Sequence, residues 1–443
     1  MARELFGTDG VRGVAGDKVT AELALALAAA AVRRAAPGAR EGRPQVLVIR
    51  DTRESGSMLE SAIAAGAAAA GADALLGGVL PTPAAPLLIR RYGLDLGVVL
   101  SASHNPYRDN GIKFFGADGD KLSDAVEEEI EALLAEPPTR AGGPVGRVRP
   151  LHGTLEDYLR DLHTRFAGLD LGGRDVLLDC AHGAAHRAAP EIFRRLGAAV
   201  TAVGTDPDGR NINDGCGSTH VEALAARVRE GGHDLGFAFD GDADRVLAAD
   251  RHGRVVDGDE LIALAARHLR DRDRLPGNGV AVTVMTNYGF HTAMREAGIE
   301  VATTGVGDRY VLEALRERGF ALGGEQSGHI IELGFSPTGD GIAGALLALE
   351  ALDGRDLAER DAMEKLPQRL VNVPVADRDA ALADAAFAEA VAREQAALEG
   401  RGRVLVRPSG TEPLIRVMVE APTDDEATAA TDRLVAAMQA GIA

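Results

Sequence analysis

Short apolar runs recur along the first three-quarters of the chain, each bounded by polar or glycine-rich turns, with longer stretches of helical spacing between them. Residues 45–49 and 96–100 read as buried strands, and 74–80, 175–179, 199–203, 235–239 and 280–285 as strands. Residues 20–34, 58–70, 155–166, 188–196, 221–230, 260–269 and 289–297 read as helices. Strand and helix alternate, which predicts an α/β architecture with mostly parallel sheets. The β-α-β pattern occurs three times without a strict repeat, so three related domains are expected. The last segment differs. Residues 369–375, 403–406 and 414–419 are strand-like, 380–398 reads as one long helix with Asp379 at its N-cap, and 424–438 as another. That pattern predicts a smaller α+β domain with an antiparallel sheet. The expected domains are 1–153, 154–254, 255–367 and 368–443, the first closing after a Pro/Gly-rich stretch at 137–149. The most apolar stretch, 62–89, reads as an Ala-rich helix, a short strand and a loop at Pro81, Pro83 and Pro86, too interrupted for a membrane span.

At 443 residues the chain is long for one hydrophobic core. Abundant alanine and glycine, and no tryptophan, suggest close helix–sheet packing. The net charge of −19 argues against nucleic acid or an anionic membrane as the main partner. An anionic substrate would need a local basic patch. Cys180 and Cys216 lack metal-site spacing and are read as buried free thiols of a reducing compartment. The N-terminus has no secretory apolar region, and a cytoplasmic location is expected.

Candidate chemistry sits in the loops. Ser101-Ala102-Ser103-His104-Asn105-Pro106 follows the strand at 96–100, and strand ends of α/β sheets are where ligands bind. A serine beside a histidine there is a candidate nucleophile; a plain Asn-Pro turn is the alternative. Asp240, Asp242 and Asp244 alternate after another strand, with Arg245 next. Three carboxylates this close repel one another unless a cation lies between them, and hard divalent ions take oxygen ligands. An EF-hand is excluded, because Arg245 and Arg251 stand where it needs glycine and glutamate. A solvated acidic turn is the alternative. Gly324-Glu325-Gln326-Ser327-Gly328-His329 mixes acceptors, donors and an acid/base group in a way that suits sugar hydroxyls. Arg407-Pro408-Ser409-Gly410-Thr411 offers a guanidinium fork, hydroxyls and amides fit for a phosphate. Arg12, in the glycine-rich Phe6-Gly7-Thr8-Asp9-Gly10-Val11-Arg12-Gly13, can reach an anion.

These four loops, in this order, resemble the α-D-phosphohexomutases over essentially the whole chain. The resemblance implies four domains, three mixed α/β and a smaller C-terminal α+β domain, around a central active-site cleft. It is nearest to the bacterial branch acting on glucosamine phosphates. That rests on residues 6–13, Asn211-Ile212-Asn213 with Cys216-Gly217-Ser218-Thr219, Val306-Gly307-Asp308-Arg309-Tyr310, and Gln326. His182 is a departure, standing where relatives often carry Asn. The implied reaction is the reversible conversion of glucosamine 6-phosphate to glucosamine 1-phosphate, feeding UDP-N-acetylglucosamine synthesis. Glucose or mannose phosphates as substrates, or a non-catalytic phosphosugar-binding protein, are the rival readings. The implied cofactors are Mg²⁺ on Ser103, Asp240, Asp242 and Asp244, a phosphoserine at Ser103, and glucosamine 1,6-bisphosphate as activator and intermediate. The implied catalytic groups are Ser103, His104, Lys113, Arg12 and His329. Those binding substrate would be Arg245, Glu325, Ser327, Arg407, Ser409, Gly410 and Thr411. The partner expected is a small phosphosugar, with neither nucleic acid nor membrane, and a homodimer is left open.

Overall fold

A computed structural model describes residues 5–7, 9–35, 42–134, 145–409 and 413–442, with residues 441 and 442 described by their backbone alone. The chain forms two compact units, one of residues 1–284 with 302–360 and the other of 285–301 with 361–443.

The first unit begins with a six-stranded sheet. Its strands are β1 (Val11–Val14), β2 (Gln45–Arg50), β3 (Asp73–Val79), β4 (Leu96–Leu100), β5 (Asp109–Gly116) and β6 (Val148–Pro150), in the order β1-β5-β4-β2-β3-β6. β2, β3, β4 and β6 pair in parallel. β5 runs antiparallel to both β4 and β1, so one reversed strand interrupts a sheet that is otherwise parallel, as expected. The reason is length: the Ser103 loop is too short for the crossover that a parallel neighbour requires. Every residue of β4 is buried, as a continuous apolar run predicts. The glycine-rich start runs directly into β1.

The second sheet has β7 (Asp175–Asp179), β8 (Ala199–Val203), β9 (Leu235–Phe239), β10 (Val246–Asp250) and β11 (Val255–Val256), in the order β11-β10-β9-β7-β8. β9 and β10 are antiparallel, and the loop joining them is the one that carries the three aspartates. Farther along, β12 (Gly279–Thr283) pairs in parallel with β14 (Leu322–Gly324), which pairs antiparallel with β15 (Ile330–Glu332). β13 (Glu300–Thr304) crosses from the second unit into the first. The tight β14–β15 connection is the Glu325–His329 loop.

Of residues 81–86, expected as loop, 81–83 form a turn and 84–86 open a helix instead (Ala84–Tyr92). Pro83 is its N-cap and Pro86 lies in its first turn, where a missing N–H leaves no bond unmade.

In the second unit, β16 (Gln368–Pro374), β17 (Arg403–Pro408) and β18 (Leu414–Glu420) form an antiparallel sheet in the order β16-β18-β17. The helix expected over 380–398 is two helices. Asp377, not Asp379, caps Arg378–Ala383, and Asp384 then takes an extended backbone and caps Ala385–Ala397 by accepting from the Phe387 amide. The helix Tyr288–Glu296 belongs to this unit, where Glu420 accepts from the Tyr288 amide. No helix among the described residues is long and apolar enough to cross a membrane.

Candidate active site

The end of β4 delivers Ser103 with a left-handed backbone, φ +53°. A non-glycine residue adopts that conformation only where its surroundings enforce it, and here they do. Arg53 is fully buried. It pairs with buried Asp51 at 2.8 Å. It also donates to the carbonyls of Ser103 (2.9 Å), Asn105 (2.8 Å), Asp109 (3.0 Å) and Pro106. Asn213, from the loop after β8, donates to the Ser103 and Asn105 carbonyls at 2.9 and 3.1 Å. Ser101 Oγ donates to Asp51 and accepts from the Ser103 amide. Burial raises the Asp51 pKa despite Arg53.

Ser103 Oγ donates to Asp240 Oδ2 at 2.5 Å. The backbone passes close enough for this because residue 241 is glycine: a Cβ there would lie 2.6 Å from the Ser103 carbonyl oxygen. Asp240, Asp242 and Asp244 are all buried, with carboxylate oxygens within 4.8 Å of one another. Burial first, then Asp244 and Asp242, push the Asp240 carboxyl well above the usual aspartate range. Oδ1 of Asp242 and of Asp244 are buried without a hydrogen-bond partner. Orphaned oxygens converging beside the serine fit a divalent cation, and the solvated acidic turn is set aside.

Lys113, on β5, reaches Asp242 at 2.9 Å and Asp9 at 3.1 Å. Burial works against its charge, but Asp242, Asp9 and Asp244 outweigh it and raise its pKa. Thr82 also donates to Asp242, at 2.6 Å. Arg12 pairs with Asp9. Lys121 bridges Asp9 to Asp308. His104 Nδ1 lies 3.3 Å from Ser103 Oγ and 3.3 Å from Arg245 Nη1. Burial, then Arg245 and Arg12, lower the His104 pKa. The Arg245 amide donates to Asp240 Oδ1 at 3.2 Å.

Glu325 and Ser327 are half-buried, and Glu325 Oε1 accepts from the Gly307 amide at 3.1 Å. Gln326 turns away, donating to Asp257 at 3.2 Å, the capping residue of the helix Gly258–Asp271. His329 is buried, with Nε2 accepting from the Gly339 amide at 3.0 Å and Nδ1 3.7 Å from Asp244.

The first unit therefore brings together Ser103, His104, Lys113, Arg12, the three aspartates, Arg245 and His329. Arg407 and Ser409 lie in the second unit, Arg407 opposite Arg416 on the paired strands. Gly410 and Thr411 lie outside the described residues. Of the two cysteines, both free, Cys180 is buried but Cys216 only half-buried. His182 has φ +49°, a conformation that favours Asn, Asp and His among non-glycine residues. The sequence reading missed Arg53, Asp51, Thr82, Asn213 and Asp9 as site residues. Asp9 and Asn213 sat inside motifs already singled out, and Arg53 in the polar run that ends β2.

The chain matches, in order, the four domain descriptions of one family. They are phosphoglucomutase/phosphomannomutase alpha/beta/alpha domain I over residues 3–140, domain II over 156–253, domain III over 257–370 and the C-terminal domain over 370–437. It is 51% identical over 440 residues to a phosphoglucosamine mutase of Desulforudis audaxviator, covering 97% of each chain. It is 54% identical over 437 residues to one from a Nocardioides species, again 97% of each. Among solved structures, a phosphoglucomutase/phosphomannomutase family protein of Burkholderia thailandensis superimposes with a TM-score of 0.83 at 25% identity, over 99% of this chain and 97% of that one. An N-acetylphosphoglucosamine mutase of Aspergillus fumigatus, in complex with GlcNAc-6P and magnesium, shares the fold with a TM-score of 0.66 at 19% identity, over 99% and 96%.

Proposed function

The chain belongs to the phosphoglucomutase/phosphomannomutase family of phosphohexomutases, and we propose that it interconverts glucosamine 6-phosphate and glucosamine 1-phosphate. The observation that carries the chemistry is Ser103 Oγ seated 2.5 Å from Asp240 in a buried cluster of three carboxylates. The amino-sugar substrate rests on relatives about half identical over nearly the full length, which bear the name phosphoglucosamine mutase.

Ser103 carries the phosphoryl group. Asp240, Asp242 and Asp244, with a phosphoryl oxygen on Ser103, would hold Mg²⁺, which when bound would neutralise charge on the group in transfer. In the forward half-reaction the P–Oγ bond of phosphoserine breaks as a bond to the sugar's free hydroxyl oxygen forms. The hydroxyl proton passes to a base, and a 1,6-bisphosphate results. The other phosphate then returns to Ser103 Oγ.

The three acid/base candidates are not equivalent. Lys113 is held charged by its carboxylates, so we assign it to fixing Asp242. His329 has Nε2 engaged by Gly339 and Nδ1 turned to Asp244. His104 remains: its lowered pKa leaves the ring neutral near pH 7, and Nδ1 lies beside Oγ. We assign it to accepting the serine proton on the return transfer. Arg12 and Arg245 supply positive charge beside the phosphoryl group. Glu325 and Ser327 would bind sugar hydroxyls, and Arg407, Ser409, Gly410 and Thr411 the phosphate that is not reacting.

The test compares turnover of glucosamine, glucose and mannose 6-phosphates with Mg²⁺ and a trace of the matching bisphosphate. A kcat/KM for the amino sugar at least about tenfold higher, roughly 1.4 kcal/mol of transition-state preference, is expected. Equal or better turnover of glucose or mannose phosphate would overturn the substrate assignment. A Ser103→Ala variant that still takes up phosphate and keeps its rate would overturn the mechanism.

A further inference from the structure

β3 runs out through Pro81-Thr82-Pro83 into the helix Ala84–Tyr92. Proline has a fixed φ and no main-chain N–H. Thr82 therefore carries the one N–H of the tripeptide, on a backbone stiffened from both sides. That N–H donates to the Asp242 carbonyl at 2.9 Å. The Thr82 hydroxyl donates to Asp242 Oδ2 at 2.6 Å. The carbonyls of Pro81 and Thr82 accept from Ala84 and Ala85, both at 3.0 Å, which ties the turn to the start of the helix. Thr82 is fully buried, so water does not compete for its hydroxyl. A residue from outside the aspartate loop thus grips Asp242 by main chain and side chain together.

The second donor to Asp242 falls on the same oxygen: Lys113 Nζ lies 2.9 Å from Oδ2. Oδ1, also buried, has no hydrogen-bond partner. The carboxylate is thereby divided, with Oδ2 taken by the protein and Oδ1 left for a cation. We infer that Thr82 is a positioning residue that confines Asp242 to one ligand oxygen, and so biases the site toward a small octahedral cation, Mg²⁺, over Ca²⁺. Ca²⁺ takes about six to eight oxygens and accepts carboxylates through both of theirs, whereas Mg²⁺ demands near-octahedral geometry, and flexibility of the ligands helps decide between them. An Asp242 free to turn both oxygens inward would suit the larger ion. Lys113 meets the charge of Asp242 but directs it less. Its ammonium ends a flexible stem and is shared with Asp9 at 3.1 Å and Asp244 at 3.8 Å. Thr82, short and set between two prolines, has no such freedom. The inference rests on reading the three aspartates as the cation site; it adds which ion they favour and what enforces the choice.

The test measures Mg²⁺ and Ca²⁺ affinities of the full-length protein without substrate. Each ion displaces Mn²⁺, followed by the electron paramagnetic resonance signal of the free ion, with Ser103 phosphorylation matched between samples by mass spectrometry. The wild type should bind Mg²⁺ more tightly than Ca²⁺. Thr82→Val keeps the shape and removes only the hydroxyl. Its Mg²⁺ affinity should fall about 10-fold or more, the usual loss when an outer partner of a metal ligand is removed, and its Ca²⁺ affinity by no more than about threefold. Thr82→Ser returns a hydroxyl and should restore the preference. Ca²⁺ bound as tightly as Mg²⁺ by the wild type would overturn the inference. So would a Thr82→Val protein that loses both ions in equal proportion, or loses neither, and so would a Thr82→Ser protein as impaired as Thr82→Val. If Thr82→Val fails to fold, Thr82→Ala, which also lacks the hydroxyl, takes its place. Mn²⁺ binding unchanged in Asp242→Asn would overturn the cation reading and this inference with it. The expected selectivity with no turnover on any hexose phosphate would sink the mutase reading alone.

Discussion

Replacing Arg53 with methionine isolates what holds the serine loop in its strained form. The arginine is buried, paired with buried Asp51 and bonded to four carbonyls. Three of those carbonyls keep a second donor. Asn213 serves Ser103 and Asn105, and the Asp109 amide serves Pro106. The main loss is therefore the stranding of Asp51, and removing one partner of a buried ion pair costs about 3–5 kcal/mol. Asp51 already has a raised pKa through burial. Without Arg53 it will take up a proton on folding, so the stability lost is smaller in acid and grows as pH rises, by up to about 1.4 kcal/mol per pH unit. Adding Asp51→Asn should recover about 2–3 kcal/mol, because the neutral amide has no charge to strand. The assay is urea unfolding followed by circular dichroism at pH 5.5 and 8 for the two single variants and the double, with mutase rates alongside. An Arg53→Met loss below about 1 kcal/mol, or one that does not change with pH, would refute the account. Recovery of stability in the double variant without recovery of turnover is expected, since the Ser103 carbonyl still lacks the guanidinium.

Gln326→Ala should leave the preference for amino sugar over glucose phosphate within about threefold. Its side chain serves the Asp257 helix cap, and the change should cost about 0.5–1.5 kcal/mol of stability, the worth of one hydrogen bond; a collapse of the sugar preference would contradict this. Asp340 has its pKa raised by burial to about 7, so its contribution to stability is present in acid and lost as pH rises through that value. Asp340→Asn keeps a capping oxygen and removes the titration. It should therefore gain on the wild type between pH 5 and pH 8 in parallel unfolding curves, and a pH-independent gap would rule the explanation out.

Much of this was readable before any coordinates. β4, β7 and β9 are short apolar runs between turn signals, and burial on both faces leaves such runs little choice. Ser103 and the three aspartates stood out because each follows such a strand. Other parts were hidden for physical reasons. The antiparallel course of β5 depends on loop length, not on its own composition. The break at Asp384 lies in a run of alanines and acids with good helical periodicity, and only the competing cap at Phe387 ends the first helix. Arg53 sits in a short polar run after β2 that carries no chemical signal of its own. Its role comes from four carbonyls gathered by the fold from residues 103–109, which no local pattern encodes. Gln326 marks the family branch by sequence, while its side chain serves a helix cap in space.

Ser103 is fixed rather than swinging. With its carbonyl clasped by Arg53 and Asn213 and its amide by Ser101, it cannot travel between the two ends of a hexose. In the mutase reading the bisphosphate must do the travelling, released from one set of contacts and recaptured end-for-end. Each catalytic cycle is thus a race between tumbling and escape. An intermediate that escapes leaves behind a serine without its phosphate, idle until another bisphosphate is recaptured. The stiffness of one loop would then set both the fidelity of phosphoryl delivery and the enzyme's dependence on traces of its own intermediate.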